Sequence, residues 1–417
     1  MENNIFTYAT SELSQDAFLL YLLNYANIDG NEGKFARDML KDFIKKNNKD
    51  EFINENNYKD YEIYSYKQYL KIDVLMVFIN KKNKENSFCL IIEDKIKAEE
   101  SKEGQLKSYI EKIKNKQEFH EKDINNKTLE LDDNLKNIIF EKNILPIYFK
   151  SGFLQTWENK GNYLFGIEDI IKLVDKHNDC NNIVIKEWIE KIKQKKDEIE
   201  KVKQLINKEN DKTTLNKLSN LVDNEGYDAI NINNVLAEYL LNKKNEYEVF
   251  KLNAFGHPET CIDCCIFNRY IEENIFEINN VKSPRFVLYL RITNFELKIV
   301  FEIHYKYEDN KGNKKSSWVK QGLKELTDIG KNEFKEEKKD LYEKINNRIN
   351  ALNNEHAKLG NRENGNITMA KFNDNIQNLS IKELREIIIE IKKIFIEIAK
   401  QKKYEEDKPK KEDKYQH

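Results

Sequence analysis

The chain has 417 residues, 39% of them hydrophobic and 35% charged, and it carries 22 Phe and 21 Tyr; this is room for two to three domains of about 100 to 200 residues and excludes disorder throughout. Its 71 basic and 73 acidic residues leave a formal net charge of −2, which excludes a global field drawing the chain to nucleic acid or to an anionic membrane. Any nucleic-acid footprint is therefore a local patch, and because arginine occurs only at Arg37, Arg269, Arg285, Arg291, Arg348, Arg362 and Arg385, lysine would make most phosphate contacts.

In chain order, Leu13, Ala17, Leu20 and Tyr21 recur at helical spacing after Thr10 and Ser11, which predicts a helix over 11–27. Phe35, Met39, Leu40, Phe43 and Ile44 mark a second helix. The period then shortens: 61–66, 72–80 and 88–93 read as strands, and the last two are apolar on both faces, as central strands of a sheet covered on both sides are. A charged helix from Glu100 to about Lys116 follows, then a polar insertion, then the strand ILPIYF at 144–149. The order helix, strand, strand, strand, helix, strand predicts an α/β domain over 1–180.

Ile185, Trp188, Ile192, Ile199, Val202 and Ile206 trace a heptad seam that Lys195 interrupts, within a long connecting helix over 181–220. This seam either joins two copies as a homodimer or covers the chain's own core. A second, α+β domain is expected over 221–403, with a hairpin of 285–293 and 295–307 and a final helix opened by the capping box Ser380 and Glu383. The charged, proline-broken tail 404–417 is expected to be disordered.

The strongest chemical signal is Ile91-Ile92-Glu93-Asp94-Lys95, at the end of one buried strand, with Asp73 at the start of another. Strand alternation sends Glu93 and Lys95 to one face and Asp94 to the other. If the two strands pair as a hairpin, one register sets Asp73 opposite Glu93 and the neighbouring register sets it opposite Asp94; the chemistry favours the first. Two adjacent carboxylates need a cation between them, and hard oxygen donors with open positions suit Mg²⁺ or Mn²⁺. A lysine beside such an ion can orient an attacking water and offset charge on a phosphate, which phosphodiester cleavage requires.

With these residues the chain resembles the PD-(D/E)XK nuclease superfamily, and most closely the bacterial group in which a run like TSELSQDAFLLYLL (10–23) precedes IIEDKIKAEE (91–100) and QLKSY (105–109). The resemblance covers about 5–175 and implies a restriction-endonuclease-like αβββαβ core with helices on both faces. It implies that Asp73 and Glu93 are metal ligands, Lys95 the catalytic lysine, Glu12 a further acidic group completing the metal site, and Gln105 and Tyr109 a nucleic-acid-binding pair. Ile72 replaces the proline that names the motif. The implied activity is metal-dependent hydrolysis of nucleic acid, DNA in preference to RNA, in bacterial defence against foreign or phage DNA. The alternatives are an RNase, or a nuclease fold without turnover that binds nucleic acid or a protein partner.

Weaker signals fall elsewhere. His257, Cys261, Cys264 and Cys265 lie in HPETCIDCC, half of a zinc pattern with no second pair, so buried thiols are the expected reading. Five cysteines are too few to staple the chain, and the N-terminus lacks the basic and apolar regions of a signal peptide; the expected location is cytoplasmic, with no membrane span. No nucleotide-binding glycine fingerprint is present, which argues against an internal NTP-driven motor; the near-neutral charge balance fits an enzyme that waits for an activating partner or ligand at the C-terminal domain.

Overall fold

The computed structural model describes residues 12–49, 52–53, 56–96, 105–115, 122–154, 161–208, 210–223, 230, 251–253, 260–263, 267–270, 281–293, 296–308, 314–318, 326–352, 358–360, 368–372, 376–401 and 405–406. They form two compact units, one built on Met1–Lys203 and the other on Gln204–Glu225 and Ile232–Tyr415.

In the first unit, helices α1 (Glu12–Leu23) and α2 (Asn31–Lys46) precede strands β1 (Tyr61–Lys67), β2 (Val74–Asn80) and β3 (Phe88–Lys95). Helix α3 (Gln105–Lys114), the short α4 (Asp133–Asn137), β4 (Ile144–Lys150), β5 (Leu164–Gly166) and α5 (Ile167–Asp175) follow. The strands form one sheet in the order β1-β2-β3-β4-β5. The first three are antiparallel, and β3, β4 and β5 are parallel. This is the mixed, helix-covered sheet expected of a restriction-endonuclease-like fold; the added strand β5 is only three residues long and escapes any periodicity reading.

Both central strands, VLMVFIN and FCLIIEDK, are buried along their whole length. Alternation divides their side chains between two layers. Cys89 and Ile91 of β3 join Leu75, Val77 and Ile79 of β2 against Leu106, Tyr109 and Ile113 of α3. The polar insertion contributes to this layer, because its scattered Leu129, Leu135, Ile139 and Phe140 pack there too. On the other face Phe43 of α2 meets Phe149 and Phe165 edge-on, and Phe78 and Phe88 stack at 4.5 Å. Each such buried side chain contributes about 1.5 to 3 kcal/mol, so the sheet is fixed from both sides.

The segment expected as one long helix is two: α6 (Ile183–Ile206) and α7 (Thr214–Asp223). Polar residues fill the break, and Asp211 accepts the backbone N–H of Thr213 at 2.8 Å, a local bond that competes with helix. The heptad seam of α6, Lys195 included, is buried in the single chain, and Trp188 stacks on Phe18 of α1 at 4.4 Å. That face covers the chain's own core, the second of the two roles that the heptad spacing allows.

The second unit is built on an eight-stranded sheet. Its centre is the long hairpin of β9 (Val281–Thr293) and β10 (Glu296–Glu308), joined by β6 (Lys251–Asn253), β7 (Thr260–Asp263), β8 (Phe267–Tyr270), β11 (Lys314–Trp318), β12 (Thr368–Lys371) and β13 (Glu405–Glu406). Phe301 stacks on Phe286 and on Phe334 of helix α8 (Asp328–Ala351), and Phe286 meets Phe334 at a tilt. Helix α9 (Ile381–Gln401) opens on its capping box: the Ser380 N–H donates to Glu383 Oε2 at 2.8 Å and the Glu383 N–H to Ser380 Oγ at 3.2 Å. Among the described residues no helix is long and apolar enough to cross a membrane. His257, Cys264, Cys265 and the Cys261 side chain lie outside the described residues, as does most of the tail.

Candidate active site

Val74 pairs with Ile92 and Leu75 with Ile91, and the same register carried one step further sets Asp73 opposite Glu93. Asp73 stands just before β2, at the end of the connection from β1, while Glu93, Asp94 and Lys95 close β3. The backbone N–H of Asp94 donates to Asp73 Oδ2 at 3.0 Å. Lys95 Nζ lies 2.6 Å from Glu93 Oε1 and 3.6 Å from Asp73 Oδ2, and donates to the Asp94 carbonyl at 2.8 Å. One ammonium therefore bridges two carboxylates.

The site is graded in exposure: the Glu93 side chain is fully buried, that of Lys95 is 9% exposed and that of Asp73 is 22% exposed. Burial pushes the Glu93 carboxyl up to about 7, against the Lys95 charge and with the Asp73 charge. Lys95 Nζ and the Tyr109 hydroxyl are the polar groups that reach this carboxylate, whose two oxygens are otherwise buried. Burial raises this carboxyl even against the Lys95 charge, so a further cation beside it would favour its ionised form. The donors fit a small hard cation: two carboxylates, one buried and one open to solvent, suit an ion such as Mg²⁺ that keeps several waters. Among the described residues no group of three or more His, Cys, Asp or Glu converges.

On α3, Gln105 donates to the Tyr109 hydroxyl at 2.5 Å, the two side chains being one turn apart. Tyr109 is buried. Burial raises its phenol, the Gln105 hydrogen bond opposes this, and the charges of Glu93 and Asp73 raise it further, so the ring stays protonated beside the carboxylates. Glu12 opens α1, and its side chain lies outside the described residues. Asp73, Glu93, Lys95, Gln105 and Tyr109 thus gather in one region.

Two features were not read from the sequence. The β1 to β2 connection holds Gln68, Leu70 and Lys71 in left-handed backbone, at φ 53°, 55° and 66°, where side chains other than glycine are strained. Lys112 of α3 donates to the Leu70 carbonyl at 3.1 Å, which helps hold that shape. Ile72, in the place of the motif's proline, is buried and donates its N–H to the Tyr69 carbonyl at 2.9 Å, a bond proline could not make. The second feature is a buried polar chain on the opposite face of the sheet, formed by Asp94, Gln15, Ser151 and Lys195; its one trace in the sequence is the lysine that breaks an apolar seam.

A family model described as the PD-(D/E)XK nuclease superfamily matches residues 3–215. No curated protein and no solved structure matches the chain.

Proposed function

Because the chain belongs to the PD-(D/E)XK nuclease superfamily, we propose that it is a metal-dependent nuclease that hydrolyses phosphodiester bonds, in DNA rather than RNA, with Asp73, Glu93 and Lys95 as its reacting set. The observation that carries this reading is the single lysine ammonium set between a buried and a partly exposed carboxylate at the end of a central strand.

Asp73 and Glu93 would hold Mg²⁺ or Mn²⁺, with Glu12 as a further acidic ligand; the ion, when bound, supplies Lewis acidity to the phosphate and lowers the pKa of an attacking water. The rest falls to the chain's own groups. The Asp94 N–H fixes Asp73 in orientation, and the Asp94 carbonyl tethers Lys95. The tethered ammonium stays beside the carboxylates, where it offsets negative charge as it builds on the phosphate. Tyr109, kept neutral, retains a proton that its hydroxyl can offer to the Glu93 carboxylate, and Gln105 orients that hydroxyl, while the partly exposed Gln105 is the member of the pair open to nucleic acid. Catalysis belongs to 1–180, 181–220 connects, and 221–403 supplies recognition or responds to an activating partner or ligand. The family resemblance supports a role in bacterial defence against foreign DNA, and the few, unevenly spaced cysteines support a cytoplasmic one.

The test is cleavage of supercoiled plasmid, single-stranded DNA and RNA by wild type and Lys95→Ala with Mg²⁺, Mn²⁺ or EDTA. Metal-dependent cutting of DNA by wild type, reduced at least about a hundredfold in Lys95→Ala, is the expected result. Preferential cutting of RNA would change the substrate assignment. Binding of nucleic acid equal in both proteins, with no cutting by either, would replace the enzyme with a binding module.

A further inference from the structure

Asp94 stands at the middle of the proposed site without presenting its side chain to it. Its N–H holds Asp73 and its carbonyl holds Lys95, and its neighbour in the chain is Glu93. A shift of this one residue moves both carboxylates and the ammonium together. Its own carboxylate, sent by strand alternation to the opposite face, is fully buried.

What meets it there is ordered. The Gln15 carboxamide of α1 donates to Asp94 Oδ1. The Ser151 hydroxyl, just past β4, donates to Gln15 Oε1 at 2.7 Å, and Lys195 Nζ of α6 donates to Ser151 Oγ at 3.3 Å. The Ser151 backbone N–H also donates to the Lys95 carbonyl, at 3.2 Å. Asp94 and Ser151 are fully buried, Gln15 and Lys195 4% exposed. The directions leave no freedom: ammonium to hydroxyl, hydroxyl to amide oxygen, amide N–H to carboxylate. Two neutral groups thus link opposite charges across three layers, and Lys195 breaks the apolar seam of α6 to reach them.

We propose that Gln15 and Lys195 are positioning residues for the nuclease reaction, acting through Asp94 to set the spacing of Asp73, Glu93 and Lys95. This rests on the nuclease reading given above. A chain that merely satisfied buried groups could sit anywhere in the core; this one ends on the residue whose backbone holds two members of the site and ties down the carbonyl of Lys95 as well. Groups that orient ligands from behind typically change metal affinity or rate by roughly 10- to 100-fold when removed.

The test uses the full chain and compares wild type, Gln15→Met and Lys195→Met by steady-state DNA cleavage and by calorimetric titration of Mn²⁺ alone. The expected result is a kcat reduced roughly 10- to 100-fold with KM within about twofold, and a Kd for Mn²⁺ raised about tenfold. A purely structural role would instead lower kcat only in step with thermal stability and leave the Kd for Mn²⁺ unchanged in both variants. If Gln15→Met fails to fold, Gln15→Met/Asp94→Leu replaces both polar partners with apolar ones and is read in the same way. Gln15→Met with wild-type kcat and Mn²⁺ affinity would overturn the proposal while leaving the nuclease standing. Wild type that binds Mn²⁺ without cutting would remove the nuclease, and the Mn²⁺ affinities would still decide the positioning; wild type that neither binds nor cuts would overturn both.

Discussion

At the scale of single residues, the site is held at an energetic cost that titration can measure. Glu93 has its carboxyl raised from an ordinary 4.5 to about 7, first through burial. A carboxyl raised on folding favours the fold only while protonated: stability is full below about 4.5, falls as pH rises towards 7, and is flat beyond. The shift corresponds to about 3 kcal/mol. Glu93→Gln is therefore expected to raise the melting temperature in EDTA at pH 8, to change it little at pH 4.5, and to abolish cleavage; a melting temperature unchanged at pH 8 would contradict the burial argument. The sequence carried the identities of Asp73, Glu93 and Lys95, because chemistry needs those side chains at a strand end. It could not carry the choice between two hairpin registers, which packing across the sheet decides, nor the contact of Gln15 with Asp94, which joins residues 79 apart.

At the scale of elements, the legible parts were those whose signal is local. The buried runs of β2 and β3, the α9 cap and the β9 to β10 hairpin all follow from period and spacing. The parts that were missed depend on distant partners: β5 has three residues and exists by pairing with β4, and the apolar residues of the insertion show no period until α3 lies beside them. The α6 seam was legible as a seam but not as to its partner, since heptads serve dimers and single chains alike. The Ser380 cap has its own test. Ser380→Ala removes the acceptor for the Glu383 N–H and is expected to cost about 1 kcal/mol, measured as a lower urea midpoint with an unchanged slope, whereas Ser380→Asp restores most of it.

At the scale of the whole molecule, the two units have separate cores, and calorimetry of the full chain is expected to resolve their unfolding. Glu93→Gln should move only the transition of the first unit and Ser380→Ala only that of the second; a single transition moved by both would mean that the units melt as one. The near cancellation of 71 basic and 73 acidic residues sets a further expectation, a shallow salt dependence of nucleic-acid binding, read as the slope of log Kd against log salt. The connection leading into Asp73 bears on how stiffly that carboxylate is delivered. It spends three left-handed residues, Gln68, Leu70 and Lys71, where glycine would relax the backbone. Glycine would adopt the same backbone with less strain but with more freedom to lose on folding, so the three side-chain-bearing residues hold the approach to Asp73 stiff at a cost in stability.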